Sequence, residues 1–181
     1  NLGVMYDEGQ GVAQDYKEAM KWYRRAAERG YASAQVNLGE MYDEGRGVPQ
    51  DHQEAMKWYR LAAERGNAEA QVNLGEMYVE GRGAPKDYKE AMKWYRRAAE
   101  QGYGDAHGLL GAMYGEERFM ALDYVRAHMW LDRAASALSG ESGKMAMEGR
   151  DTVAKKMTPA EIEKARAMAQ ACKASNFKQC E

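Results

Sequence analysis

The residues of this chain that could do chemistry are few and widely spaced. Histidine occurs at His52, His107 and His128. A zinc centre needs paired ligands, such as two histidines one helical turn apart or two cysteines two residues apart. No such pair is present, so the three read as surface or rim histidines and no metal site is assigned. The stretch "SNFK", Ser175 to Lys178, fits the S-x-x-K pattern in which a lysine assists a serine nucleophile of penicillin-recognising enzymes. The SDN and KTG segments that complete that site are absent. "GESGK", Gly140 to Lys144, has the glycines and lysine of a phosphate-binding loop, but two residues separate its glycines where four are needed. Cys172 and Cys180 are the only cysteines. In one unbroken helix they would stand about 12 Å apart, beyond bridging distance. A chain that folds back near Ser175 and Asn176 lets them close, so a disulfide and two free thiols both remain open. No catalytic residue and no cofactor is assigned.

Composition narrows the classes further. With 30% charged and 45% hydrophobic residues, the 181-residue chain can bury a core and is not a disordered segment. A net charge of −2 and a pI near 6.0 argue against a nucleic-acid or anionic-membrane binder. No apolar run approaches the roughly 18 residues that span a bilayer, so no membrane insertion is expected. The chain starts at Asn1 and in mid-pattern, and any signal peptide would lie upstream of it.

The elements behind these residues are repeated. "LGVMYDEGQG" from Leu2, "LGEMYDEGRG" from Leu38 and "LGEMYVEGRG" from Leu74 recur every 36 residues, each followed by a "D-x-x-E-A-M-K-W-Y-R" stretch from Asp15, Asp51 and Asp87. A worn fourth copy keeps Leu110, Gly111, Tyr114, Asp123, Ala127, Trp130 and Ala134 in register. Each copy reads as two helices. Helix A of the second copy, over 34–45, puts Ala34, Leu38, Met41 and Tyr42 on one face. Helix B starts after Asp51 as N-cap, with Glu54 in capping-box position, buries Ala55, Trp58, Tyr59 and Ala62, and ends at Gly66. No strand alternation survives, so the fold class is all-α.

Gly39 lies inside helix A, where glycine costs about 1 kcal/mol relative to alanine. Its recurrence at Gly3, Gly75 and Gly111 predicts helices too close for a side chain. Gly45 and Gly47 follow the helix end, where positive φ suits glycine. The aromatic column (Tyr6, Tyr42, Tyr78, Tyr114; Trp22, Trp58, Trp94, Trp130) falls on the packed face and reads as core, not as a stacking platform for bases or sugars.

The pattern from Ala34 through Leu38, Gly39, Tyr42, Gly45, Gly47, Val48, Asp51, Ala55, Trp58, Tyr59, Ala62, Ala63 and Gly66 resembles the Sel-one-like repeat (SLR) family, relatives of the tetratricopeptide repeats. The resemblance implies a right-handed α-solenoid of helix-turn-helix units with the A helices on its concave side. It also implies a non-catalytic scaffold or adaptor that binds a protein or peptide. Some SLR proteins are linked to penicillin binding, which keeps a penicillin-binding or weak β-lactamase activity as the enzyme alternative through Ser175. Cysteine-bearing tails resemble those of exported bacterial members, and a Cys172–Cys180 disulfide would favour the periplasm or the outside of the cell.

On this reading residues 1–138 form about four repeats, the first lacking the start of its helix A, and 139–181 form a cap. Within the cap "SGESG" is a turn, Lys144 to Met157 a helix, and Thr158, Pro159 and Glu161 open the last helix. In the fourth copy Glu117 and Phe119 replace the loop glycines, either as relaxation of the pattern or as a partner contact through Phe119 and Met120. Removing the packed face of helix A leaves Glu8, Glu40, Asp43, Glu44, Glu76, Glu80 and Glu116 towards the groove, with Asn37 and Asn73, and Asn1 before them, at its rim. That column is acidic, while helix B carries Lys21 and Arg24, Lys57 and Arg60, Lys93 and Arg96. The groove is expected to take a basic or amide-rich partner. The plain alternative is an exposed helix whose acids bridge to Arg46 and Arg82. A structural role, end-to-end self-association into a rod, is the third class.

Overall fold

The computed structural model describes residues 2–119, 121–175, 177 and 180. Its regular elements, among the described residues, are ten α-helices in two compact units, Asn1–Asp87 and Tyr88–Glu181. The first holds α1 (Leu2–Glu8), α2 (Tyr16–Glu28), α3 (Ala32–Glu44), α4 (His52–Glu64) and α5 (Ala68–Glu80), each packed on the next. The second holds α6 (Tyr88–Ala99), α7 (Gly104–Gly115), α8 (Tyr124–Ala137), α9 (Gly140–Ala154) and α10 (Pro159–Ala174). There α6 packs on α7, α7 on α8, and α8 on both α9 and α10. This is an all-α array of helical repeats, the α-solenoid class.

Local chemistry sets each helix start. Asp15 accepts from the N–H groups of Lys17 and Glu18, Asp51 from Gln53 and Glu54, and Asp123 from Arg126, satisfying donors that a helix start leaves open. The same aspartates close the turn before them. The Asp15 N–H donates to the Tyr6 carbonyl at 2.8 Å, Asp51 to Tyr42 at 2.8 Å, Asp87 to Tyr78 at 3.0 Å and Asp123 to Tyr114 at 3.0 Å. The capping box expected at Asp51 is not formed, because the Glu54 carboxylate turns to Lys57 one turn on. At α10 the box is complete: Glu161 donates its N–H to the Thr158 hydroxyl and accepts from the Thr158 N–H.

The glycines inside the A helices do admit close neighbours. A Cβ on Gly39 would stand 2.6 Å from Cε1 of Tyr59, and one on Gly3 would stand 2.6 Å from Tyr23. At Gly111 the neighbour is Leu131, which occupies the tyrosine's position in the fourth copy. The loop glycines divide their duties. Gly45 and Gly81 cap α3 and α5 in the left-handed conformation. Gly83, at φ +75°, lies against the start of the preceding helix B, where a Cβ would meet the His52 carbonyl oxygen at 2.4 Å. In the fourth copy neither Glu117 nor Phe119 has positive φ, and the Phe119 ring packs edge-on against Tyr88 at 5.3 Å between centroids. Phe119 is therefore used within its own unit, on the residue equivalent to the one its glycine counterparts touch.

Two expectations for the closing segment change. "SGESG" is not a turn: Gly140 to Gly143 form the first turn of α9, and a Cβ on Gly143 would meet the Leu138 carbonyl oxygen at 2.6 Å. The tail does fold back after Ser175, with the Phe177 N–H donating to the Cys172 carbonyl and Cys172 bonded to Cys180. Lys155, Lys156, Glu163, Lys164 and Arg166 are exposed, while Ala165, Ala169 and Cys172 are buried.

Candidate functional site

Five of the acidic-column positions meet in the first unit. Glu40, Asp43 and Glu44 from α3 and Asn73 and Glu76 from α5 line a recess of about 180 Å³, completed by Tyr59 of α4 and Arg82 of the loop after α5. The helix period explains the gathering: Glu40 and Glu44 are one turn apart on α3, and Asn73 and Glu76 share the corresponding face of α5.

The acids are partly neutralised by the repeat that follows them. Arg46 bonds Asp7 at 3.0 Å and Glu44 at 2.7 Å, with Glu40 3.6 Å away. Arg82 bonds Asp43 and, at 2.5 Å, Glu80. His52 Nδ1 lies 2.7 Å from the other oxygen of Asp43. The bridging expected of Arg46 and Arg82 is thus present: Arg82 is itself a lining residue of the recess, and Arg46 holds Glu44 and stands near Glu40. Burial raises the Glu40 pKa, the charge of Glu69 raises it further, and Arg46 opposes both. Burial likewise raises the Tyr59 hydroxyl, with Asp43 and Glu40 adding to it.

The remaining positions lie elsewhere. Glu8 is exposed at the end of α1 and accepts from Gln10. Asn37 is half-buried and bonds the Tyr23 hydroxyl, whose pKa burial pushes up to about 12 against that bond. Glu80 holds Arg82, and Glu116, in the second unit, holds Arg118 at 2.6 Å. Asn1, Met120, Asn176 and Lys178 fall outside the described residues. Ser175 caps α10 and donates its hydroxyl to the Cys172 carbonyl at 3.0 Å.

The basic character of helix B is weaker than its letters suggest. Arg24 donates to the Tyr42 hydroxyl, Arg60 to Tyr78 at 2.6 Å and Arg96 to Tyr114 at 2.7 Å, each tying a helix B to the next helix A. Lys21, Lys57 and Lys93 are exposed, and each pairs with a glutamate three residues earlier. The recess was missed in one respect, Tyr59. Its ring belongs to the packed stripe as expected, and its hydroxyl reaches the site. The available signal was that the repeat writes tyrosine there and not phenylalanine.

Two histidines are not at the surface. His107 is 0% exposed, between the rings of Trp130 and Phe177 at 5.5 and 5.4 Å, and His128 is also buried. His107 takes the place of Gln35 and Gln71, whose side chains donate to Ala27 and Ala63 carbonyls. Its Nε2–H donates to Ala99 at 3.2 Å. Among the described residues no group of three His, Cys, Asp or Glu is arranged to hold a metal ion.

The Sel1 repeat pattern matches residues 1–31, 32–67, 68–103 and 104–137. The chain belongs to the Sel1 repeat family. A Sel1 repeat protein from Oxalobacter formigenes is 36% identical, with a TM-score of 0.72, over 88% of this chain and 72% of that one. The protein c5321, a protective antigen of uropathogenic Escherichia coli with an SLR fold, is 35% identical with a TM-score of 0.83. This chain is covered over 97% of its length there, and it spans 38% of the c5321 chain. No curated protein matches it. Sel1 repeat proteins are generally non-catalytic and generally serve as protein-interaction scaffolds. No helix among the described residues is long and apolar enough to cross a membrane.

Proposed function

We propose that this Sel1 repeat chain is a non-catalytic interaction module that binds a basic peptide or protein surface along the acidic face of its A helices. One observation carries the reading: Glu40, Asp43, Glu44 and Glu76 converge on a single recess, beside Arg46 and Arg82. Opposite charge speeds encounter and selects partners more than it adds affinity, so binding should weaken as salt is raised. Reversing Glu40, Glu44, Glu76 and Glu80 to lysine should abolish capture of the native partner in a pull-down from the host. Undiminished capture by the reversed protein at low salt removes the proposal, and turnover of a chromogenic β-lactam would remove its non-catalytic part. The Cys172–Cys180 bond supports function in an oxidising compartment, the periplasm or the cell exterior.

A second reading is self-association. Exposed Leu2 and Tyr31 border a recess of about 330 Å³ shared with Trp22, Arg25 and Arg29 at the first hairpin, a mixed apolar and basic surface that a second copy could cover. Light scattering across concentration separates the two: a mass that stays monomeric disposes of self-association.

A further inference from the structure

The last copy of the repeat lacks a side chain that the first unit uses at its hairpin, and the tail supplies another. In the first unit the Arg65 guanidinium lies over Gly30, 3.4 Å from where a Cβ would stand. Gly102 is the same position two repeats on, and there the residue in Arg65's place is Ala137, too short to cover it. The Phe177 ring takes the place instead, 3.2 Å from the Cβ position of Gly102. It stacks on His107 at 5.4 Å and has the Arg133 guanidinium over it at 5.3 Å.

The chain on either side holds Phe177 there. Its N–H donates to the Cys172 carbonyl at 2.9 Å, and Cys180 is bonded to Cys172. Its φ is +66°, a left-handed conformation uncommon for an aromatic residue. Such a conformation persists only where the surroundings impose it. His107 depends on that ring in turn. It is 0% exposed between Trp130 and Phe177, its Nε2 bonded to the Ala99 carbonyl and its Nδ1 without a partner among the described residues. From α8 the charge of Arg133 opposes a proton on it, from α6 comes the Ala99 carbonyl, and from the tail the uncharged Phe177 ring.

We infer that the Cys172–Cys180 bond is a latch coupled to His107: opening the bond lets water and a proton reach the imidazole, and a proton on the imidazole favours the open latch. Opening is a thiol–disulfide exchange with an external dithiol. One thiolate of the dithiol attacks a protein sulfur, and the other protein sulfur leaves and takes up a proton. The second thiolate then displaces the first protein sulfur, so the protein gains two thiols as the dithiol becomes a disulfide. Without the tie, the Phe177 backbone can relax to an ordinary φ and its ring leaves Gly102. Water then reaches Nδ1 and supplies the acceptor that the closed site lacks. The two events share one coupling free energy, so each shifts the other by the same factor. The open form binds the proton more readily, so the latch weakens as pH falls through the ordinary histidine range.

The test follows the His107 ring protons by NMR across a pH titration of the full chain, oxidised and reduced with tris(2-carboxyethyl)phosphine. The oxidised midpoint should lie at about 4. Reduction should raise the proton affinity at least tenfold, towards the ordinary midpoint of about 6.5. Phe177→Ala with the bond intact should raise it as much, because the ring and not the sulfur does the shielding. Amide protection at Leu110 and Ala134 separates an open latch from unfolding of α7 and α8, and a midpoint that moves only when that protection is lost overturns the inference. Conversely, the reduced-to-oxidised ratio in dithiothreitol buffers should grow by up to about tenfold for each pH unit below about 6.5, where all thiols stay protonated. His107→Gln should remove most of that dependence. Equal midpoints in the oxidised, reduced and Phe177→Ala proteins, or an exchange ratio indifferent to pH in the parent, also overturns the coupling.

Discussion

Gln35 and Gln71 in the first unit and His107 in the second make the same bond by different chemistry. Each reaches from an A helix to a carbonyl at the end of the preceding B helix, at Ala27, Ala63 or Ala99. The glutamines are neutral at every pH, whereas the histidine can be charged. The same exchange recurs around it. Tyrosine over a helix glycine becomes Leu131 over Gly111, and the loop glycine seated on a helix start becomes Phe119 on Tyr88. The repeat therefore fixes a contact between backbones, and the side chain that meets it can change. The first unit fills those contacts with rigid or inert groups. The second fills them with a histidine, a leucine and a phenylalanine, of which the first titrates.

The largest test of that contrast is at the loop position. Gly83→Ala adds a methyl against the His52 carbonyl at positive φ and should cost roughly 3–4 kcal/mol, strain and overpacking together. Phe119→Ala, at the equivalent position, removes an aromatic pair and should cost only about 1 kcal/mol. Equal losses in denaturant unfolding would refute the idea that the second unit has relaxed this contact.

Acid should come next. Burial holds the His107 pKa at about 4, the Ala99 bond pulling up and Arg133 pushing down, against about 6.5 in the unfolded chain. Between these values the unfolded state binds the extra proton, so stability is lost as pH falls from 6.5 towards 4. Nδ1, where the proton must go, is buried without a partner. The loss should reach roughly 2–3 kcal/mol. His107→Gln, the residue of the other repeats, should flatten most of that slope, leaving what His128 contributes. An unchanged slope would show that His107 does not carry it.

Reducing the Cys172–Cys180 bond should destabilise the second unit by about 2 kcal/mol through the freed chain entropy of its short loop. It should also free Phe177 from His107, read as added Trp130 fluorescence quenching by solvent. The smallest effect concerns the two buried tyrosines. Tyr23→Phe breaks the bond to Asp7 and should cost about 1 kcal/mol, while Tyr59→Phe should cost nothing measurable.

What could be read from letters alone has a physical boundary. Asp51 as a cap, Gly39 as a close approach and Gly45 as a left-handed stop depend on the chain within one turn or on the period itself, and they were legible. So were the five acids and amides of the recess, because helical phase alone puts them on one face. Arg60 looked like surface charge because its partner, Tyr78, belongs to the next repeat. His107 looked like a rim residue because only the packing of Trp130 and the returning tail encloses it. Both oxygens of Asp43 are taken, one by His52 and one by Arg82 of the next repeat, a pairing that no local pattern states.

The seating of Gly47 on Tyr16 and of Gly83 on His52 has a consequence for how such a chain can grow. Each of these turns is fitted to the helix start one repeat back, so the joint is the same in the second and third copies. A gene segment encoding one full 36-residue period can be copied or excised and both new junctions still fit. A cut of any other length brings a turn against the wrong part of its neighbour. Array length is thus free to drift by whole modules, and the choice of ligand can change by adding a module without rebuilding one.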